Sequence, residues 1–414
     1  MAVAHERPQG WVVMASLRDV ADASLARLWI VPAAAAVATG VLLTVGAGFG
    51  GVRWLADTGS AAPAGLDSPL ASIVAALAGR LAVAAHVLAA FCACFGLLRI
   101  VVRLAGSKFG GMTVTTLLVG LAGIVAGPGL ISGAAIIAGA FSPIQAAAAL
   151  LILALALSLD DRPVAGVALL GVVFAIQPEV ALWGVVFLAG ASVGLRRNGA
   201  RMSRAWLVGG GSTLLFAVPA ALWWVHAGTF LPAPASMDGL LPLPPWQPWS
   251  VPMGNWVLCA CMLAMGLAAL CSLGPDGRGA LGAFMAALPI LVGGCVMPLV
   301  TKSPWLLALR PMAIDAVLQP LATVAVAAVL ARDLAGHGGM LRLALSVIAA
   351  VSLLLHPFLL PLAALAMLAR AAAANGELLG IERRIRDWDR MLLSRATLSA
   401  IGLAAVAGGV LQHW

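Results

Sequence analysis

The sequence predicts an all-α fold, a polytopic bundle of about 13 transmembrane spans forming one integral membrane domain over residues 1–414. Three observations carry that expectation. Hydrophobic residues make up 62% of the chain and charged residues only 10%, whereas a soluble domain carries about 25% charged residues. So few charges cannot build a water-facing surface, and lipid must cover most of the outside. Apolar runs near the ~20 residues that a helix needs to cross ~30 Å of hydrocarbon also recur along the whole chain. Finally, the basic residues segregate. With the N-terminus in the cytoplasm, only Arg53, Arg80, Lys302 and Arg310 fall outside or within the membrane, which leaves 20 of the 24 Lys and Arg on cytoplasmic segments. That bias orients membrane proteins. The formal charge of +8 is thus a topology signal spread over helix ends, and it implies no nucleic-acid partner.

Taken in order, residues 1–27 form a cytoplasmic N-terminal segment of mixed character with Arg7, Arg18 and Arg27. The apolar run 28–50 is long enough to remain in the membrane as a signal anchor. Residues 51–81 supply a first outer loop and an interfacial helix, and the next span ends at Arg99 and Arg103. Further spans are expected at 111–126, 130–157 (kinked at Ser142-Pro143), 163–176, 179–195, 206–226, 255–273, 280–300, 312–331, 340–356, 357–370 and 396–412.

Two pairs of these spans are short. The run 163–176 rises only about 21 Å at 1.5 Å per residue before it meets Gln177-Pro178-Glu179, and a second apolar run then returns. The stretch 340–370 repeats the pattern, with His356-Pro357 at its bend. Proline removes a backbone donor and unsettles the residue before it. A break at membrane depth persists only where protein or a wet cavity covers it. The expectation is two broken hairpins bordering a cavity on the outer face, with Gln177, Pro178, Glu179, His356 and Pro357 as its hinge.

Residues 227–254 form an outer loop with seven prolines from Pro232 to Pro252 and with Trp246 and Trp249 between them. Proline at that density makes a stiff, irregular cover. Trp54, Trp246, Trp249 and His226 are candidates for substrate binding there. The tryptophans read either as an interfacial belt or as platforms for sugar rings and isoprenoid tails. On the cytoplasmic side, residues 376–395 place Leu378, Ile381, Ile385, Trp388 and Leu392 at helical spacing with charges opposite, an amphipathic helix lying on the membrane. Cys92/Cys94 and Cys259/Cys261 are CxC pairs, which a helix points about 200° apart. The six cysteines therefore read as small core residues. Gly209-Gly210-Gly211 reads as a close-packing site.

Ionisable groups at membrane depth are expensive and are functional candidates by default. Asp57, in the first outer loop, is either a turn carboxylate or a general base. Asp67, in Asp67-Ser68-Pro69, is either a helix cap or a second catalytic carboxylate. Glu179 follows the proline break and suits the positive end of the returning helix. Asp315 lies close enough in sequence to Arg310 for an ion pair. Lys302 and Arg310 bracket a short outer loop and could hold a phosphate. The histidines form no paired metal-binding spacing, and no Walker, dinucleotide or nucleophile-elbow motif occurs. The sequence identifies no cofactor, and a divalent metal stays open.

The run 160–190, DDRPVAGVALLGVVFAIQPEVALWGVVFLAG, resembles the short-hairpin region of GT-C-fold membrane glycosyltransferases. There a basic cytoplasmic turn leads into an Ala/Gly-rich short helix, a proline break and a returning helix. Residues 127–159 and the overall topology are similar too. The resemblance implies a GT-C-like bundle in the cytoplasmic (inner) membrane, with the N-terminus inside and the C-terminus outside. It implies transfer of a sugar from a polyprenyl-phosphate carrier to an acceptor on the outer face. Asp57, with Asp67 second, would be the loop carboxylate that serves such enzymes as base or acceptor site. The chain departs from many relatives in lacking a paired acidic motif in that loop and a soluble C-terminal domain. Two other classes fit the same features: a transporter or lipid flippase, and a non-catalytic scaffold subunit of a membrane complex.

Overall fold

The computed structural model describes residues 80–105, 143–195, 199–227, 251–300, 311–334, 339–355 and 357–374, with single residues at 130 and 309. Among them the secondary structure is helical, with no strand. In chain order the helices are α1 (Arg80–Ala105), α2 (Pro143–Leu159), α3 (Pro163–Ile176), α4 (Pro178–Gly194), α5 (Gly199–Ala227), α6 (Met253–Ser272), α7 (Arg278–Val300), α8 (Asp315–Arg332), α9 (Met340–Leu355) and α10 (Leu360–Ala374). Short 3-10 turns at Gly274–Gly277, Pro311–Ile314 and Pro357–Leu359 lead into α7, α8 and α10. Four segments among the described residues are long and apolar enough to cross a bilayer: Val87–Ala105, Met253–Ser272, Gly274–Met297 and Pro311–Arg332. The chain is a membrane-embedded helical protein.

Proline placement explains where the short helices start. Pro163 and Pro178 each stand at the first helical position, where the missing N–H would have had no partner and the fixed φ suits the helix. The preceding Gln177 is accordingly extended, at φ −152° and ψ 104°. The α2–α3 turn places Asp161 at φ 62°, a left-handed conformation that Asp tolerates better than most residues.

Side-chain pairings fix the direction of each helix. Arg99 Nε donates to Asp160 Oδ2 at 2.7 Å and Arg103 Nε to the Leu159 carbonyl at 3.0 Å, so α1 and α2 finish at the same end of the bundle. Arg332, closing α8, donates to the Leu273 carbonyl at 3.0 Å and pairs with Asp276 in the α6–α7 turn. Arg342, opening α9, donates to the Ala373 carbonyl, closing α10, at 3.1 Å. This shared end is called the arginine end. Successive helices then alternate: α3, α5, α7 and α9 run away from it, whereas α4, α6, α8 and α10 return. Ala227 and Met253 both lie at the far end, where the Pro/Trp-rich 227–254 segment was expected.

The core is centred on α8, whose residues from Asp315 to Ala331 are buried apart from Gln319. It packs against α1, α6 and α9. A close helix crossing joins α4 to α7, antiparallel, where Gly190 and Gly194 face Gly282 and the Arg278 carbonyl. A Cβ at Gly190 would lie 2.6 Å from that of Ala286. Only small residues admit this approach, the way membrane helices associate without a hydrophobic driving force.

Three expectations need correction. Of Gly209-Gly210-Gly211, only Gly209 packs closely, against Val164 and Val167 of α3, while Gly210 and Gly211 face open space. A helix turns successive residues by about 100°, so one neighbour cannot meet all three. The span expected at 206–226 begins earlier, since α5 starts at Gly199 and takes in Arg201 and Arg204. Its polar first turns extend the helix beyond the apolar stretch. Cys271 is exposed at the arginine end of α6, while Cys92, Cys94 and Cys259 are buried as core residues.

Candidate functional site

The α3–α4 hairpin ends short of its neighbours. α3 has 14 residues and α4 has 17, against 29 in α5 and 23 in α7. Gly190 faces Gly282 and Gly194 faces Arg278, and extending that antiparallel register sets Pro178 level with Gly294. α7 continues to Val300, so it overtops the hairpin by about 9 Å at 1.5 Å per residue. On the other side, Thr213 Oγ1 donates to the Val167 carbonyl at 2.7 Å, and Ala220 packs with Ala175. α5 then runs on to Ala227, again about 9 Å beyond the tip. Among the described helices, the hairpin tip therefore forms the floor of a recess between the ends of α5 and α7.

At that floor, Gln177 Nε2 donates to Glu179 Oε1 at 2.5 Å. Both side chains are buried, at 5% and 2% exposure. Glu179 occupies the first turn of α4, so the positive helix end offsets part of the cost of burying its charge. Asp315, at 0% exposure, opens α8 at the same level: Gly294 abuts Met312 in the turn before it. Two buried carboxylates thus sit at one depth on the side away from the arginine end.

The second broken hairpin has the expected form. α9 spans 16 residues and α10 spans 15, joined through a 3-10 turn that begins at Pro357. His226 falls in the last turn of α5. Asp57, Asp67, Trp54, Trp246, Trp249, Lys302, Arg310 and His356 lie outside the described residues. Among the described residues, no group of three or more His, Cys, Asp or Glu is placed to hold a metal ion.

The sequence reading treated the arginines as orientation signals, and the structure gives several of them partners. Arg370 bonds Asp333 through Nε at 2.7 Å and Nη2 at 2.8 Å, and Ser346 Oγ donates to the same carboxylate at 2.5 Å. In the α2–α3 turn, burial raises the Asp160 carboxyl above its ordinary value, with Arg99, Arg103 and Arg162 pulling it down. Each pair joins distant segments, so no local spacing announces it. Comparison of the chain with protein-family models, with curated proteins and with solved structures finds no match.

Proposed function

We propose that the chain is a glycosyltransferase of the cytoplasmic membrane that moves a sugar from a polyprenyl-phosphate carrier to an acceptor on the outer face. The observation that supports this reading is the short α3–α4 hairpin, which ends below α5 and α7 with the buried Gln177 and Glu179 at its tip. The arginine end and the N-terminus face the cytoplasm, and the C-terminus faces outward. Asp57 takes the acceptor hydroxyl proton as general base while the acceptor oxygen forms its bond to the anomeric carbon. The bond from that carbon to the carrier phosphate breaks, and its electron pair leaves on the phosphate. Lys302 and Arg310 stabilise that charge, and Trp54, Trp246, Trp249 and His226 hold sugar and tail; Asp67 supports the loop. A cation aimed at developing charge in a water-poor site contributes several kcal/mol.

Asp57→Asn keeps the shape and loses the basicity, and removal of a positioned base costs about 10²–10⁴ in rate. Complementation of a deletion strain, with expression checked, should therefore fail for Asp57→Asn and succeed for Asp67→Asn. The buried Glu179 and Asp315 support a second reading, transport, since discontinuous helices and buried carboxylates at membrane depth serve transporters. Full activity of Asp57→Asn with loss in Glu179→Gln would replace the transferase by a transporter. Indifference at both positions would leave a scaffold subunit.

A further inference from the structure

Opposite the recess, at the arginine end, the seam between α9 and α10 carries two rungs of hydrogen bonds. In one, Arg370 Nε of α10 donates to Ser346 Oγ of α9 at 2.9 Å. One helical turn nearer the end, Arg342 Nη2 of α9 donates to the Ala373 carbonyl of α10 at 3.1 Å. The two guanidinium groups are therefore neighbours on one seam. Among the described residues, both keep buried donors without a hydrogen-bond partner: Arg370 Nη1 and Arg342 Nε. Arg370 is only 6% exposed. Its side-on grip of Asp333 uses Nε and Nη2, and the planar geometry of guanidinium turns Nη1 away from that carboxylate.

The charges do not balance among the described residues. Asp333 neutralises one of the two arginines. The first turn of α9 holds no acidic residue and begins with Arg342 two residues in, although a helix N-terminus disfavours a cation. The N-terminal dipole of α9 adds positive potential, offset at the seam by the carbonyl end of α10. A buried guanidinium N–H without an acceptor costs more than an ordinary unmade hydrogen bond, so two on one seam need a reason. An anion supplies it. Paired planar forks match the oxygens of a phosphate, and the bundle end is where lipid headgroups lie. Arg342, Leu341 and Met340 are partly exposed, which leaves a way in.

We propose that Arg342, Arg370 and the first turn of α9 form a binding site for a phosphate-class anion, supplied by a lipid headgroup or by free phosphate. The site is separate from the recess and does not depend on what the recess does. The test uses the purified full chain in phosphate-free buffer and follows its thermal unfolding. Inorganic phosphate is titrated against chloride at equal ionic strength. In a second arm, nanodiscs of phosphatidylcholine are compared with nanodiscs of phosphatidylcholine and phosphatidic acid in equal parts. Stabilisation by inorganic phosphate identifies the anion itself as sufficient, and stabilisation by phosphatidic acid alone identifies a lipid headgroup. Arg342→Gln should weaken either response about tenfold or more, the worth of one charged hydrogen bond. Arg342→Lys, which keeps the charge and loses the fork, should fall between the two and serves if the glutamine variant does not fold. No response to either probe, or an equal response in Arg342→Gln, overturns the proposal.

Discussion

A single methyl group added at Gly282 should push α4 and α7 apart. The new Cβ would meet the Gly190 carbonyl oxygen and lie 3.0 Å from its carbon and 3.2 Å from the Gly194 nitrogen. All three atoms are backbone, so no side chain can rotate away and the helices themselves must separate. Overpacking of this kind costs about 1–3 kcal/mol. Alanine also favours a helix over glycine by about 0.8–1.0 kcal/mol, which hides part of the loss. Gly211→Ala on α5 is the matched control, because a Cβ there meets nothing within 4 Å and the propensity gain is common to both variants. The difference in stability between the two isolates the steric contact, with an expected value of about 1–3 kcal/mol against Gly282→Ala. The assay is denaturant unfolding of the full chain in detergent micelles, followed by far-ultraviolet circular dichroism. Gly190→Ala combined with Gly282→Ala should fall short of the summed losses, since both relieve one crossing. Equal stability of Gly282→Ala and Gly211→Ala would refute the close α4–α7 approach, and with it the register that places the recess.

Two further predictions concern the arginine end. Burial holds the Asp160 carboxyl above its ordinary value, so the folded chain binds that proton more tightly than the unfolded one. Its contribution to stability is then greatest below the ordinary carboxylate range and is lost as pH rises through the elevated value. Unfolding midpoints measured from acid to neutral pH should show that component in the wild type and not in Asp160→Asn; parallel profiles would count against it. Orientation is tested by thiol labelling on intact cells in a Cys271→Ser background. Cysteines introduced between 232 and 249 should react with an impermeant reagent and Asp161→Cys should not, whereas the reverse pattern would invert the topology.

Much of the fold was legible because its signals are local. Gln177-Pro178 and His356-Pro357 mark the broken hairpins through backbone chemistry alone, and the described helices keep the alternation that the basic residues suggested. Packing was less legible. The spacing Gly190–Gly194 was the informative glycine pair and Gly209-Gly210-Gly211 mostly was not, because a glycine's use depends on which helix faces it. The arginine-end pairs were invisible for a related reason: Arg99 and Asp160 are 61 residues apart, Arg332 and Asp276 are 56 apart, and Arg370 and Asp333 are 37 apart. Each needs the tertiary fold to meet. Of the proposed site, the Gln177–Glu179 floor was readable from the proline break, whereas the level shared by Glu179 and Asp315 follows only from the α4–α7 and α7–α8 contacts.

The interior prolines bear on what fills the recess. Pro163 and Pro178 start helices and free no intrahelical carbonyl. Pro219 lies inside α5 and Pro320 inside α8, and Pro289 and Pro298 fall within α7. Each removes the N–H that would have served the carbonyl four residues earlier, at Leu215, Ala316, Met285 and Gly294 respectively. Gly294 lies level with the hairpin tip, Ala316 adjoins Asp315, and Leu215 and Met285 stand nearer the middle of the bundle. Hydrocarbon cannot hydrogen-bond a freed carbonyl, so such groups are retained where a neighbouring helix, a side chain or water serves them. The helices around the hairpin tip therefore carry more backbone polarity than their apolar sequences suggest. Water or a hydroxyl-rich substrate would serve that polarity as well as a neighbouring helix or side chain does, whereas a lipid chain would not. On the transferase reading proposed above, a polar substrate would lie at the tip and the surrounding helix faces would hold the carrier's apolar tail.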